Sequence, residues 1–463
     1  MSEKMKWNRL LVEKRFHDPN NNGEEKNGRS QFEKDIDKIT FSSAFRRLGR
    51  KTQVHLLSEN DHIHTRLSHS LEVASVGRSL GVMVGQWLKD NEELPNKLEP
   101  SNVGEIVEAA CLAHDIGNPP FGHAAEEATR KWFQEKIKED EKELNVREQQ
   151  DLKNFDGNAM AFRVVTYKEY YENDGGMRLT YSTLGALLKY PWTSNFAKED
   201  PKKKDHKFSC FKTEYNYFDE IAKELRLIEK KHNSSKFEAE YTRHPLAFLV
   251  EAADDICYRV LDIEDAIELN LLRENYLIEQ EFDKFLKKKD ELREEQKRLL
   301  NSKISWRIKN GMLRGKMINL MIKEIVEAFE NNYERIMEGS LDSSLMSKTN
   351  NDSLCSKIDA LYEKGNLKKK IYQNQRNVLL ELGAYSVISI LLENSIEAAR
   401  EIVNGKKTSY KTKIIKNFIK QDSGERFKGK DLYEIIMLFL DYIMGMTDNY
   451  ATNVNKQLRG LGN

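Results

Sequence analysis

Cys111-Leu112-Ala113-His114-Asp115-Ile116-Gly117-Asn118-Pro119-Pro120-Phe121-Gly122-His123 is the stretch on which the reading of this chain turns. A helix over about residues 104–114 delivers His114 and Asp115 side by side. Gly117 and two prolines then force an abrupt turn that carries Asn118 and His123, and a new helix starts near Ala124. An imidazole next to a carboxylate offers a metal one nitrogen and one oxygen, a pair suited to Mn, Fe or Zn and less readily to Mg. A His-Asp dipeptide occurs often by chance. Followed by GNPPFGH, it becomes a specific signal.

Outward from this stretch the chain is helical in pattern. Prolines number only eight, strand-like alternation is scarce, and apolar residues recur at helical spacing. An all-α fold is expected, with at most a short β-hairpin over Thr52–His64. Helices are expected over Ser30–Arg50 (Phe32, Ile36, Ile39, Ala44 and Phe45 inward), over 66–91, and from Pro245 to about Asn270. The segment 276–300 reads as an exposed amphipathic helix. Further helices fill 304–463, interrupted at Gly339–Asp352. Polar stretches at Pro19–Gly28, 131–153 and 193–207 read as loops or solvated helix. With no repeat and no linker, residues 1–463 are expected to form one unit. Its metal-site core would span 60–265, with 266–463 as a helical extension.

The 463 residues suffice for a sizeable core, and 75 basic residues balance 75 acidic ones. A general polyanion binder would lean basic, so any nucleic-acid contact must be a local patch. Lys202–Lys204 and Lys368–Lys370 are the candidates, although such runs are commonly just solvated. The four cysteines contain no CxxC pair, which argues against thiolate zinc and a disulfide framework. The N-terminus, MSEKMKWNRLL, is too charged for a signal peptide, and no apolar run approaches the roughly 18 residues that span a membrane. A cytoplasmic protein with no membrane partner is expected.

Two further residues could complete a metal shell. His69 opens a helix in His64-Thr-Arg66-Leu-Ser-His69, and Asp254 lies in Glu251-Ala-Ala-Asp254-Asp255-Ile-Cys-Tyr258. Asp254, Tyr258 and Asp262 are spaced i, i+4, i+8 and share a helix face, whereas Asp255 is rotated by about 100°. Asp254 is therefore the better ligand. His123 and Glu126 are three apart at a helix start, so the carboxylate can orient the imidazole. Arg66 precedes His69 by three and offers a planar fork to phosphate oxygens.

RRLGRKTQV, HTRLSHSLEVA, AHDIGNPPFGHAAEEA, FDGNAMAFR, LKYPWTS and EAADDICYRVLDIEDA, in that order over about residues 40–265, resemble the motifs of bacterial deoxyguanosine triphosphate triphosphohydrolases of the HD superfamily. The tail GMTDNYA is also similar. The resemblance implies His69, His114, Asp115 and Asp254 as ligands of a divalent metal ion (Mg, Mn, or a transition metal such as Fe, Ni or Zn). It implies His123 and Glu126 as the acid–base pair. It also implies Gln53 and Asp262 at the sugar 3′-hydroxyl, with Tyr258 packed where a 2′-hydroxyl would be. The family's animal branch has histidine where Asn118 stands and lysine where Asp255 stands. The triphosphate therefore needs other cations, for which Lys189 and Lys207 are candidates.

The activity implied is hydrolysis of dGTP, or another dNTP, to deoxynucleoside and inorganic triphosphate by in-line attack of water at the α-phosphorus. Family behaviour also implies a homo-oligomer, hexamers included, and allows single-stranded DNA as an effector. Two readings compete. Another HD phosphohydrolase (a 5′-nucleotidase, cyclic-nucleotide phosphodiesterase or (p)ppGpp hydrolase) would share the ligands but not the HTRLSHS, GNPPFGH and FDGNA neighbourhoods. A nucleic-acid-binding regulator with a decayed site would not need the intact His123/Glu126 pair.

Overall fold

The computed structural model describes residues 4–18, 28–53, 60–137, 143–170, 172–195, 207–230, 239–277, 279, 290–364, 367–372, 375–405, 408–419 and 424–461. Eleven helices carry the argument: α1 (Gln31–Thr40), α2 (Arg66–Asp90), α3 (Pro100–Ala113), α4 (His123–Lys136), α5 (Gly157–Arg163), α6 (Ala247–Glu268), α7 (Trp306–Asn331), α8 (Leu354–Lys364), α9 (Gln375–Val403), α10 (Leu432–Met444) and α11 (Asp448–Leu458). Among the described residues, β structure is confined to isolated bridges, Thr52 with Thr65 among them. The fold is all-α. The centre of the hairpin considered over Thr52–His64 lies outside the described residues, as do most of Pro19–Gly28, most of 193–207 and the first part of the helix expected over 276–300, of which Asp290–Leu300 is described.

The helix expected over Ser30–Arg50 is broken. Ser42 adopts extended backbone angles, and its Oγ accepts from the Phe45 amide while donating to the Ile39 carbonyl. This serine ends one helix and caps the next, the competition with helical hydrogen bonding that short hydroxyl side chains provide.

The scaffold of the site is the α2–α3 pair. Gly81 of α2 lies so close to Gly104 of α3 that a Cβ there would meet the Gly104 Cα at 2.8 Å. Two backbones in this contact fix the first turn of α2, with His69, against the C-terminal end of α3, with His114. Helix α6 packs across both. One continuous apolar core runs from Met5 to Val454. Its α10 segment is buried almost throughout, and Arg163 of α5 donates to both carboxylate oxygens of Asp441 there, at 2.8 and 2.9 Å.

One helix contradicts the expectation that no apolar run is long enough to cross a bilayer. The segment Val378–Val403 of α9 meets the length and composition that crossing requires. It packs against α4 and α10, while Leu379 and Leu382 near its start stay exposed.

Candidate active site

The end of α3 places His114 so that its Nδ1 donates to the Cys111 carbonyl at 2.6 Å. The ring proton is thereby committed, and Nε2 keeps a lone pair directed inward. That nitrogen is buried without a hydrogen-bond partner, 3.5 Å from Asp115 Oδ1 and 3.6 Å from Asp254 Oδ1. His69 Nε2 lies 3.2 Å from the same Asp254 oxygen. Ligand atoms of His69, His114 and Asp115 all fall within 4.8 Å of one another. An orphaned imidazole nitrogen between two carboxylates is what a cation satisfies, so the donor set fits a divalent metal.

The electrostatics agree with that fit. Burial alone would raise the Asp254 pKa; the hydrogen bond from His69 and the Lys189 ammonium outweigh it and hold the carboxyl well below its ordinary range. Asp115 is held low against burial chiefly by Arg66, whose Nη1 donates to Oδ2 at 2.7 Å. The Asn118 amide donates to the other oxygen of Asp115. Asp255 faces elsewhere: Arg259 takes it at 2.8 Å and bridges on to Asp359 at 2.6 Å.

His123 opens α4 after two residues of positive φ, Phe121 and Gly122. Its Nδ1 lies 3.0 Å from Glu126 Oε2, while the imidazole itself is 82% exposed. Glu126 is buried and immobilised from its other side, because Oε1 accepts from the Gly157 amide at 2.7 Å. A Cβ at Gly157 would come within 2.6 Å of both Glu126 Oε1 and Asn118 Oδ1, so the FDGNA motif needs glycine there for close approach. Burial would push Glu126 up; the Lys207 ammonium, 3.7 Å from Oε2, and His123 hold it well below the carboxylate range.

A cavity of about 720 Å³ opens over this cluster. Every site residue picked out from the sequence lines it except two. His69 lies behind the wall, and Asp262 is buried on α6 within electrostatic reach of His69. Gln53 presents an Oε1 that is buried with no partner. Tyr258 turns its ring to the cavity, 5.8 Å from that of Tyr362.

Lys189 and Lys207 also line the wall but are already paired. Lys189 Nζ is 3.7 Å from Asp254 Oδ2, and Lys207 Nζ is 3.2 Å from Asp156 Oδ2. Further lining residues include Asn158, Tyr190, Tyr362, Lys369 and Glu381. The first two stand inside motifs already recognised, FDGNA and LKYP. Tyr362 and Glu381 arrive from α8 and α9, where no local pattern marks them, and Lys369 comes from the short helix Leu367–Tyr372. Lys202–Lys204 lie outside the described residues, whereas Lys369 of the second lysine run borders the cavity.

Comparison with known proteins bears on this arrangement. The HD domain model matches residues 66–170, which hold Arg66, three of the four candidate ligands and the His123/Glu126 pair. A deoxyguanosinetriphosphate triphosphohydrolase-like protein of Pseudomonas aeruginosa is 42% identical over 459 residues, covering 98% of this chain and 99% of the relative. The chain belongs to the deoxyguanosinetriphosphate triphosphohydrolase family of the HD superfamily. Other members of this family include a Synechocystis protein also named triphosphohydrolase-like, 35% identical over 99% of this chain and 100% of its own length. The Klebsiella pneumoniae deoxyguanosinetriphosphate triphosphohydrolase is 30% identical over 97% of this chain and 98% of its own. As a family member the chain is an HD-type nucleotide phosphohydrolase, and Asp254, beyond the matched domain, reaches the cluster through α6.

Proposed function

We propose that this chain hydrolyses dGTP, with other dNTPs as secondary substrates, to deoxynucleoside and inorganic triphosphate, using a divalent ion held by His69, His114, Asp115 and Asp254. The observation that carries the reading is the unpartnered Nε2 of His114 among carboxylates at the floor of a nucleotide-sized cavity. The names of the relatives support dGTP as substrate. Two imidazoles and two carboxylates favour Mn, Fe, Ni or Zn over Mg, which prefers oxygen ligands.

When bound, the metal supplies Lewis acidity toward a phosphoryl oxygen and toward water. The protein does the rest. Arg66, whose Nε is buried without a partner, offers its fork to phosphate oxygens. Lys189 and Lys207 hold the triphosphate so that the α-phosphorus stays in line with the attacking water. Water forms a bond to phosphorus, the bond from phosphorus to the 5′-oxygen breaks, and His123, oriented by Glu126, moves a proton on one side of that exchange. The unpaired Gln53 oxygen accepts from the sugar 3′-hydroxyl, and Tyr258 closes on C2′. The exposed apolar residues Leu379 and Leu382 on α9 support assembly into a homo-oligomer, which light scattering would report as a multiple of the chain mass.

The test is incubation of the purified chain with each dNTP and one divalent metal, with nucleoside, monophosphate and polyphosphate separated. Deoxyguanosine and intact triphosphate are expected, with label from ¹⁸O-water on the triphosphate. Monophosphate plus pyrophosphate, or label on the nucleoside, would overturn the reading.

A further inference from the structure

The segment Gly445-Met-Thr-Asp448-Asn-Tyr-Ala451 stands nearly 200 residues beyond Asp254 and lines no part of the cavity. Its Asp448 is nonetheless buried, at the first turn of α11, and its two carboxylate oxygens are divided between two cavity-wall segments. Oδ2 accepts from the Thr52 amide at 3.0 Å and from the Thr52 hydroxyl at 2.7 Å. Oδ1 accepts from the Phe121 amide at 3.0 Å. Thr52 precedes Gln53, and Phe121 stands two residues before His123.

A second tie joins the same segments. Lys51 Nζ donates to the Asn118 carbonyl at 2.5 Å and to the Met444 carbonyl, at the end of α10, at 2.7 Å. Neither wall segment belongs to a helix, and Phe121 holds a left-handed φ of 63° that a phenylalanine does not adopt unaided. Charge-assisted hydrogen bonds from one carboxylate to two backbone amides are the means by which such loops are held in a single register.

We propose that Asp448 is a positioning residue of the active site, a clamp that sets the Gln53 segment and the Phe121–His123 turn at a fixed separation. The C-terminal helices thereby fix the distance between the sugar end of the cavity and the proton-carrying imidazole. This role rests on the proposed reaction only for its effect on turnover. Its structural half stands without it.

Asp448→Asn discriminates well, because asparagine keeps the shape but has a single acceptor oxygen and can serve only one of the two segments. In the metal-loaded, full-length variant, hydrogen–deuterium exchange should rise in peptides covering Lys51–Gln53 or Asn118–His123 while α2 and α3 stay protected. Turnover of dGTP should fall roughly 10- to 100-fold, the scale of an ångström-sized misplacement. Metal content should not change. If the wild type fails to hydrolyse dGTP, the proposed reaction is wrong, and the exchange measurement still decides the clamp. Unchanged exchange in both segments, or exchange rising through the whole chain with normal turnover per folded molecule, overturns it. Should Asp448→Asn not fold, Thr52→Val, which removes only the hydroxyl bond, takes its place. It should loosen Lys51–Gln53 and slow turnover several-fold, while Thr52→Ser restores both. Valine and serine variants behaving alike would sink the proposal.

Discussion

Helices α2 and α6 meet twice through a histidine and an aspartate, and the two meetings are unlike. Just ahead of α2, His64 gives Nδ1 to Asp265 at 2.6 Å and points Nε2 at Glu72, 3.4 Å away. One turn on, His69 faces Asp254 at 3.2 Å, and the adjoining His114 is left with an unpartnered nitrogen at the cavity floor. At the first meeting both ring nitrogens have acidic partners. Burial would lower the His64 pKa, but Asp265 and Glu72 together raise it to about 10, so the ring is a cation locked in an ion cluster. At the second, two imidazoles and two carboxylates lack one positive centre. The same residue types make a structural pin in one place and a ligand set in the other, and the count of unpaired lone pairs separates them.

The comparison breaks most visibly at His114. His114→Ala should lose bound metal, as read by elemental analysis, and reduce turnover to background while the helical fold persists. The drop in metal affinity should exceed the roughly 10–100-fold typical of groups that merely support ligands. Retained metal would mean that the orphaned nitrogen is not a ligand. A third histidine–carboxylate pair sharpens the contrast. His123 touches Glu126 but no ligand residue, so His123→Ala should slow turnover about 10²–10⁴-fold, the usual range for a general acid or base, with metal content unchanged. Metal lost along with activity would move His123 into the ligand set.

Much of this was legible in the sequence because it is carried by local chemistry. The break after Asp115 is forced by Gly117, Pro119 and Pro120, and the helix phase of Asp254 and Tyr258 against Asp255 can be read from spacing alone. The division of Ser30–Arg50 was not legible, since Ser42 could as well have faced solvent in an unbroken helix. Nor were the partners of Lys189 and Lys207. A lysine in a polar loop reads as a free cation until the fold brings Asp156, Glu126 and Asp254 beside it. Tyr362 and Glu381 lacked any signal, because their place on the wall is made by packing of helices far along the chain from the core motifs. Asp448 was visible as part of a familiar tail, yet its contacts span 327 and 396 residues of sequence. His64 and His69 share one motif, and nothing local distinguishes the pin from the ligand.

That last distinction yields the smallest effect expected on turnover and the clearest one on stability. His64→Gln keeps much of the volume and a donor but cannot carry charge. With the ring's proton held by Asp265 and Glu72, the folded-state pKa lies near 10, above the ordinary 6.5. A pKa raised on folding adds stability that is fully present below about pH 6.5 and is lost as pH rises through about 10. Removing a hydrogen-bonded charge of this kind costs about 1.5–3 kcal/mol. Urea unfolding at pH 6 should therefore show the variant less stable by about that amount, and the gap should narrow between pH 7 and 10. Turnover per folded molecule and metal content should match the wild type. A gap constant across that range would mean that His64 is neutral in the folded chain, and a variant that loses metal would make His64 a ligand after all, erasing the difference between the two meetings of α2 and α6.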